Sequence, residues 1–541
     1  MEAIQVKSKN IAKTTKMFDG EKLSIADIYS IAVQHTPCSI SATSKQKIKK
    51  SRELLENIVQ QDIPIYGVTT GYGEMVYVLI GKEKETELQA NLIRSHCAGV
   101  GPHFSKEECR AILAARINAF CRGYSAVSEE LVDRLVLYIN QDIIPVIPEI
   151  GSLGASGDLG PLSHIAITVM GEGYVFDEKN NVVPTAEVLA KKNIKPLQFR
   201  FKEGLGMING TSAMTGLGSL ILYKAFEQVR QAEIITALVL ENQKASDSPF
   251  QEEGHELARP HAGQIDCAFN LKQLLAGSEL IATHHGLRSD LAAQKIGDVS
   301  STNIYLQKAY TLRCIPQMVG AIRDTLYHVN NVLTIELNSS NDNPLFFEGK
   351  EVFHGGNFHG QPIAFAMDFL AIALTQLGII SERRTNRLLN RYLSNGLPEF
   401  LVKNDPGLNC GFAGAQYPAT ALIAENRTIC SPASIQSVPS NGDNQDVVSM
   451  GLIAARNAKR ILNNNYYILA VELLCAAQAV DIANHYSLLS QSAKITYDTI
   501  RKIVPVVEKD RYMSDDIYKA AELLQKGDIL KNITQSGLAL R

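Results

Sequence analysis

The sequence predicts a mainly α-helical fold, in which an irregular N-terminal domain precedes a bundle of long helices. Apolar residues recur with helical periodicity over long stretches of the C-terminal part, at residues 213–245, 305–337, 359–392 and 445–485. Strand signals are few and short, such as residues 174–177 and 182–183 on either side of a turn. We therefore expect an N-terminal domain at residues 21–210 and a helix bundle at residues 211–541.

The N-terminal part is predicted to alternate short helices with segments rich in glycine and proline. Residues 1–20 are polar and rich in lysine, so we expect a loose segment or one wrapped on a neighbouring chain. One apolar helical face is formed by Cys109, Ile112, Leu113, Ile117 and Phe120. Pro145 and Pro148 disfavour helix in the residues before them. They therefore lead the chain in non-helical form into a glycine-rich loop at residues 151–160.

The long C-terminal stretches are predicted to be buried helices. The most apolar segments, residues 364–380 and 466–483, are interrupted by polar residues such as Asp368 and Glu472, which disfavours membrane spans. Pro316 is expected to kink the helix in which it lies. The Gly-Leu-Gly at residues 216–218 lacks a preceding strand and the full glycine pattern, so a dinucleotide site is excluded there.

Composition excludes several classes of function. Lys+Arg 53 against Asp+Glu 56 gives a formal net charge of −3, so no basic excess indicates nucleic acid or an anionic membrane as partner. The nine cysteines are scattered without a Cys-x-x-Cys pair, which disfavours a metal site and a disulfide framework. No apolar segment typical of a signal peptide is found near the N-terminus. A reduced, cytoplasmic location is therefore expected.

The most informative segment is Ala155-Ser156-Gly157, within GSLGASGDLGPLSH at residues 151–164. Three small residues leave the backbone little bulk and much conformational freedom. They permit attack of the Gly157 nitrogen on the Ala155 carbonyl carbon. Loss of two waters, one of them from the Ser156 side chain, then gives a five-membered ring with an exocyclic methylene, 4-methylideneimidazole-5-one (MIO). The alternative interpretation of this segment is an ordinary glycine-rich turn.

This extended segment resembles the signature of the MIO-dependent aromatic amino-acid ammonia-lyases and aminomutases, apart from Gly160, where many relatives carry alanine. Further segments match in chain order: IYGVTTGYGE (65–74), NLIRSHCAGVG (91–101), FKEGLGMINGTS (201–212), YLQKAYTLRCIPQ (305–317), ELNSSNDNPL (336–345), GNFHGQ (356–361) and SNGDNQDVVS (440–449). The wording GVTTGYGEM and NLIRSH most resembles the bacterial tyrosine 2,3-aminomutases of this family. The resemblance implies the histidine/phenylalanine ammonia-lyase-like fold. It also implies an MIO group formed autocatalytically, with no metal, nucleotide or pyridoxal phosphate.

The resemblance assigns Tyr66 as the base that removes a β-proton from the substrate. A phenolate is a competent base, but an ordinary tyrosine has a pKa of about 10, so nearby donors must stabilise its negative charge. Gly73 and the neighbouring glycines give this loop the freedom to close over the substrate. Arg313 is expected to hold the substrate carboxylate with parallel hydrogen bonds. A structural ion pair is the alternative for this arginine.

Other positions match weaker parts of the family site. The family positions that hold the carboxylate, the MIO oxygen and the amine correspond here to Asn209, Tyr305 and Tyr310. Phe358 matches a position beside the ring, and the positions of least weight are Asn441 and Gln445. Asn341 also lies in a segment that matches the family. Instead of contributing to the site, its side chain could equally form a local Asx turn with the nearby backbone.

His96 is expected to determine substrate specificity. Relatives with histidine here tend to select tyrosine, whereas those with phenylalanine tend to prefer phenylalanine. A polar group left unpaired by phenylalanine disfavours that substrate, on the order of several kcal/mol in favourable cases. Tyr417 is a second potential partner for the substrate hydroxyl. The alternative for His96 is an interior histidine with its hydrogen bonds satisfied.

The predicted function is a tyrosine 2,3-aminomutase that converts L-tyrosine to β-tyrosine through an MIO-amine adduct and 4-coumarate. The Gly73-Glu74-Met75 segment resembles the mutases more than the lyases. A tyrosine ammonia-lyase that releases 4-coumarate and ammonia is the first alternative. A histidine ammonia-lyase is compatible with the fold, and an inactive helical scaffold is the alternative of another class. The resemblance also implies a homotetramer with shared active sites.

Overall fold

The computed structural model describes residues 15–61, 63–294, 299–302 and 304–541, and its architecture is mainly helical, as predicted. The helices are α1 Ile25–Ala32, α2 Ala42–Gln60, α3 Glu85–His96, α4 Lys106–Cys121, α5 Glu129–Asn140, α6 Leu159–Val169, α7 Thr185–Lys191, α8 Glu203–Ile208, α9 Ser212–Asn242, α10 Ala262–Leu274, α11 His284–Ala292, α12 Tyr310–Arg313, α13 Ile315–Leu337, α14 Gln361–Leu389, α15 Ala413–Ile429, α16 Gly451–Ala483, α17 Gln491–Arg501, α18 Ser514–Gln525 and α19 Asp528–Gln535.

The strands are short and lie in the N-terminal part. They are β1 Lys16–Phe18, β2 Cys38–Ile40, β3 Val100–His103, β4 Ile144–Pro145, β5 Pro148–Ile150, β6 Tyr174–Phe176 and β7 Val182–Pro184. β1 pairs with β2 in parallel, β3 pairs with β5 in antiparallel fashion, and β4, β6 and β7 form an antiparallel sheet in that order. The β6–β7 hairpin confirms the strand pair predicted around residue 180.

Serine side chains begin several helices of the N-terminal part. Ser24 accepts a hydrogen bond from the Asp27 N–H, and the Asp27 carboxylate accepts one from the Ser24 N–H in return. Ser105 and Glu108 form the same reciprocal pair at the start of α4. Such pairs satisfy backbone donors that have no partner inside the helix, so they fix where the helix begins.

Residues 1–20 were predicted to be loose, but residues 16–20 are held in the fold. Residues 1–14 lie outside the described residues. Lys16–Phe18 instead pairs with Cys38–Ile40, and the Phe18 side chain is buried. The Gly20 N–H donates to Asn118 Oδ1 at 3.0 Å. An apolar anchor and a hydrogen bond thus fix the residues that follow the lysine-rich start.

The long helices α9, α13, α14 and α16 pack together as a bundle, and α14 lies along α16. By length and composition alone, α14 and α16 are long and apolar enough among the described residues to cross a membrane. Most of the apolar residues in both are buried inside the protein, as predicted for bundle helices. α9 also packs against α4, so the hydrophobic core is continuous across residue 210. The division into domains at that residue stays a prediction.

The prediction of a single helix over residues 305–337 was wrong for residues 305–314. Only the short turn Tyr310–Arg313 precedes α13, which begins at Ile315. Pro316 therefore lies in the first turn of α13 and does not kink it. Proline is tolerated there because the backbone nitrogens of the first turn need no partner inside the helix.

Candidate active site

The Ala155-Ser156-Gly157 tripeptide lies where α6, α9 and α16 begin. The Asp158 N–H donates to Gly210 O at 2.7 Å, two residues before α9. The Met450 N–H, directly before α16, donates to Leu153 O at 2.9 Å. Helix N-termini carry partial positive charge. Their positive potential makes an electron-withdrawing group at the tripeptide more electrophilic.

The tripeptide backbone is held in an unusual, tightly packed turn. Ser156 has φ +51° and Gly157 has φ +79°, both in the left-handed region. The Gly157 backbone lies directly against Gly210, and a Cβ at Gly157 would collide with the Gly210 carbonyl oxygen. Only glycine fits there, so the Gly157 nitrogen is flanked by little bulk, as an attacking group requires.

Hydrogen-bond donors face the Ser156 carbonyl oxygen. The Gly210 N–H donates to it at 3.2 Å, and Asn209 Nδ2 donates at 3.3 Å. This oxygen is retained when the tripeptide cyclises, and donors placed in this way stabilise negative charge that develops on it. Gln445 Nε2 donates to Ser156 Oγ, the group lost as water, at 3.3 Å. The residues around the tripeptide therefore fit an MIO group.

The Asp158 side chain holds the tripeptide loop in place through hydrogen bonds. Its buried carboxylate accepts hydrogen bonds from Ser152 Oγ at 2.9 Å and from the Met214 N–H at 2.8 Å. Burial raises its pKa to about 6, although these donors and Arg116 act in the opposite direction. The carboxylate thus joins the loop to the first turn of α9, where its negative charge is favourably placed.

A cavity of about 610 Å³ opens beside Ser156. Its walls contain seven of the residues predicted to form the site, namely Tyr66, Gly73, His96, Ser156, Asn209, Asn441 and Gln445. These residues come from segments far apart in the chain, so it is the tertiary fold that brings them to one cavity. No group of three or more His, Cys, Asp or Glu side chains within the described part of the chain could hold a metal ion.

Tyr66 points its hydroxyl toward the start of the Gly73–Tyr77 turn. The Gly73 N–H donates to Tyr66 Oη at 2.9 Å. A donor in this position stabilises negative charge on the phenol oxygen, which is the condition that a tyrosine base must meet. The Gly73 backbone also lies against the Asn441 side chain, so the loops of residues 65–77 and 440–445 meet above the cavity.

His96 ends α3 and presents its imidazole ring to the same cavity. Its Nδ1 lies 2.8 Å from the Leu92 carbonyl oxygen. Ser95 Oγ lies 3.1 Å from Nδ1 and donates to the same carbonyl oxygen at 2.9 Å, so the tautomer that carries its proton on Nδ1 fits these contacts. In the neutral ring, Nε2 is then an acceptor that is available to a phenolic hydroxyl.

Other predicted residues lie elsewhere on the single chain. Arg313 lines a second cavity of about 370 Å³, and its Nε donates to Lys308 O at 2.9 Å. Its guanidinium lies over the Tyr310 ring, 4.8 Å from the centroid. The side chains of Tyr305, Tyr310 and Tyr417 are exposed, and Phe358 is partly buried. None of these five lines the cavity beside Ser156, and their roles stay predictions.

A buried arginine that was not predicted from the sequence lies behind the site. Arg116 is fully buried in α4 and donates to Asn209 O at 2.8 Å and to Asn341 Oδ1 at 3.1 Å. Asn341 in turn donates to Thr211 Oγ1 at 2.8 Å. These contacts fix the segment that packs on the tripeptide. The signal in the sequence was a charged residue within the apolar run of residues 111–117 of this helix.

The chain is similar to known proteins over most of its length. A sequence model of the aromatic amino acid lyase family matches residues 23–502. The chain is 61% identical over 519 residues to an MIO-dependent tyrosine 2,3-aminomutase of Streptomyces globisporus, covering 96% of each chain. It is 54% identical to a tyrosine ammonia-lyase of Cupriavidus metallidurans, covering 96% of this chain and 98% of that protein. The crystal structure of tyrosine aminomutase from Streptomyces globisporus matches with a TM-score of 0.95 at 59% identity, over 98% of this chain and 100% of that one.

Proposed function

Because the chain belongs to the aromatic amino acid lyase family, a family of enzymes, we propose that it is a tyrosine 2,3-aminomutase. The reaction moves the amine of L-tyrosine from Cα to Cβ and gives β-tyrosine. One observation carries the proposal: Ser156, Tyr66 and His96 line one cavity, where they supply an electrophile precursor, a base and a phenol acceptor. The similarity to an aminomutase at 61% identity supports the mutase assignment.

The tripeptide, Tyr66 and Asn209 have distinct roles in this reaction. The MIO group made from Ala155-Ser156-Gly157 supplies the electrophile that activates the substrate amine as a leaving group. Tyr66 removes a proton from Cβ, and the electron pair of that C–H bond forms the double bond of 4-coumarate as the amine leaves Cα. Asn209 Oδ1 is buried and has no hydrogen-bond partner among the described residues, so it can accept a hydrogen bond from the amine. For the mutase outcome, the amine adds back to the double bond at Cβ before the acid leaves, and the proton held by Tyr66 is returned to Cα.

A time course with L-tyrosine alone tests this proposal. The purified protein is incubated with the substrate, while 4-coumarate, ammonia and both enantiomers of β-tyrosine are quantified. We expect β-tyrosine from the earliest times, in excess over 4-coumarate. Accumulation of 4-coumarate and ammonia in step, with little β-tyrosine, would instead establish the tyrosine ammonia-lyase to which the second relative points. Absence of all three products would support the inactive scaffold.

Replacing His96 by phenylalanine is expected to change the substrate preference. The substitution removes the Nε2 acceptor, so the phenol of tyrosine loses its partner while phenylalanine no longer leaves a polar group unpaired. The ratio of kcat/KM for tyrosine to that for phenylalanine should fall at least about tenfold. Steady-state kinetics with both substrates measure the ratio. An unchanged ratio would assign the phenol contact to another residue.

We also propose that the protein is a homotetramer in which several chains build each active site. The support is the position of Arg313, which lines a cavity separate from that of Ser156. The exposed Tyr310 ring lies against the Arg313 guanidinium, although the resemblance assigns both residues to the site at Ser156. α14 also exposes the apolar side chains of Phe365, Phe369 and Ile372. A surface of this kind is typical of an oligomer interface.

Complementation between inactive variants tests the shared site. Ser156→Ala and Arg313→Ala are each expected to be inactive, because one lacks the electrophile precursor and the other the carboxylate partner. When both chains are co-expressed, mixed oligomers contain some sites with both residues intact, so part of the activity should return. Co-expressed chains that remain inactive in a verified mixed oligomer would show that each site uses a single chain.

A cytoplasmic location is proposed as well. All nine cysteines are free thiols, and Cys109, Cys121 and Cys475 are fully buried. Free thiols are typical of proteins in a reducing compartment. Fractionation of the native host, with detection of the protein by antibody, tests this assignment.

A further inference from the structure

Gln89 joins elements that surround the cavity. It lies in the middle of α3 and is fully buried. Its Nε2 donates to Tyr72 Oη at 2.8 Å and approaches Gly67 O at 3.3 Å, while its Oε1 accepts from the Leu205 N–H at 3.1 Å. The side-chain amide therefore uses both its donor and its acceptor sides, and it ties α3 to the Tyr66 loop and to α8.

Tyr72 packs against the residue that follows Tyr66. A Cβ at Gly67 would lie 2.8 Å from Tyr72 Cε1 and 2.6 Å from Leu205 Cδ2, so the loop backbone lies directly on these side chains. Gly67 adopts φ +65°, which glycine tolerates without strain. Burial raises the pKa of the Tyr72 phenol, and the nearby Tyr66 acts in the same direction. Tyr72 is therefore a neutral hydrogen-bond partner, distinct from the base.

Tyr66 is consequently held at both of its ends. Its backbone continues into Gly67, which is enclosed by Gln89, Tyr72 and Leu205. Its hydroxyl accepts from the Gly73 N–H, and Gly73 directly follows Tyr72 in the chain. Displacement of the Tyr72 ring would therefore move both the neighbour of the base and the donor on its oxygen.

We propose that Gln89 and Tyr72 are positioning residues for Tyr66. The pair holds the loop so that the phenol oxygen of Tyr66 stays at a fixed place in the cavity beside Ser156. This inference rests on the proposed function, since it takes Tyr66 as the group that removes the β-proton. Gln89 does not line the cavity, and the hydroxyl of Tyr72, which does line it, is bound by Gln89. Their effect passes through the position of the base, on which proton transfer depends strongly.

Tyr72→Phe tests the inference because it removes one hydroxyl and keeps the ring that packs on Gly67. We expect kcat for L-tyrosine to fall at least about tenfold while KM stays within about twofold, as for a misplaced catalytic group. The near-ultraviolet absorbance of the MIO group and the thermal midpoint should stay close to those of the wild type. Tyr77→Phe is the matched control, because Tyr77 is an exposed tyrosine at the end of the same turn. It should keep the wild-type kcat.

The decisive readout is the same substitution in a Tyr66→Phe background. If Tyr72 acts through Tyr66, the double variant has the same residual rate as Tyr66→Phe alone. An equal fold-loss in both backgrounds would show a general structural role and overturn the inference. An unchanged kcat in Tyr72→Phe, with an active wild type, would overturn it too. A wild type that forms neither β-tyrosine nor 4-coumarate would refute the proposed function instead.

Gln89→Glu is the second variant and probes the other member of the pair. The carboxylate keeps an acceptor for the Leu205 N–H but has no donor. It therefore faces the Gly67 carbonyl oxygen without a hydrogen bond, and the Tyr72 hydroxyl must turn to donate instead of accept. We expect a similar loss of kcat that also disappears in the Tyr66→Phe background. A loss that persists in that background would contradict the positioning role of Gln89.

Discussion

Ser156→Ala is expected to abolish the formation of both β-tyrosine and 4-coumarate. Alanine has no hydroxyl to lose as water, so no exocyclic methylene can form at this position. The rate should fall by at least about 1,000-fold, because the electrophile contributes to an enzymatic rate enhancement that is typically about 10⁶-fold or more. The alanine side chain is compatible with the space occupied by serine, so the fold should be retained.

Product formation and the near-ultraviolet difference spectrum together measure this effect. The wild type should show an absorbance band that Ser156→Ala lacks. Ser339→Ala is a suitable control, because Ser339 is a partly buried residue just after α13 whose hydroxyl donates only to Ile335 O at 2.7 Å. A wild-type rate in Ser156→Ala would refute the tripeptide as the source of the electrophile.

Tyr66→Phe is expected to lower kcat by about 100- to 10,000-fold, the usual contribution of a general base. The phenylalanine ring keeps the packing of Tyr66 but cannot accept the β-proton. It also leaves the Gly73 N–H without its acceptor, which loosens the turn that begins there. The MIO absorbance should be retained, since the tripeptide is made by other residues.

Substrate deuterated at Cβ measures removal of the β-proton separately from the other steps of the reaction. The wild type should exchange or transfer this deuterium during turnover, and Tyr66→Phe should do so at the same reduced rate as it forms product. Tyr77→Phe again serves as the control on the same loop. A Tyr66→Phe variant with kcat within tenfold of the wild type would assign proton removal to a different group.

The parts of the site that the sequence predicted are those whose chemistry lies in short segments. The tripeptide, the Tyr66 loop and His96 each combine a reactive side chain with small or helical neighbours, and the structure places all three at one cavity. The bundle helices were predicted because their apolar residues repeat along a buried face. Arg313 and the exposed tyrosines were assigned from resemblance alone, and the structure of one chain leaves them apart from Ser156.

The parts that the sequence could not predict depend on contacts between distant segments. Gln89 looks like an ordinary helix residue, and Arg116 is only a charge in an apolar run, until the fold places Tyr72, Leu205 and Asn209 beside them. Likewise, Pro316 suits either a kink or a first turn. Only the position at which α13 begins decides between these possibilities. Hydrogen bonds of this kind have no periodic signature along the chain.

The most direct test of the account is the mass of the peptide that contains residues 151–164, isolated from the purified protein. We expect a peptide lighter by two water molecules than its encoded sequence, with the loss confined to Ala155-Ser156-Gly157. The same peptide from Ser156→Ala should lack this modification. An unmodified wild-type peptide from protein that still converts L-tyrosine would contradict the central claim that the chain builds its own electrophile.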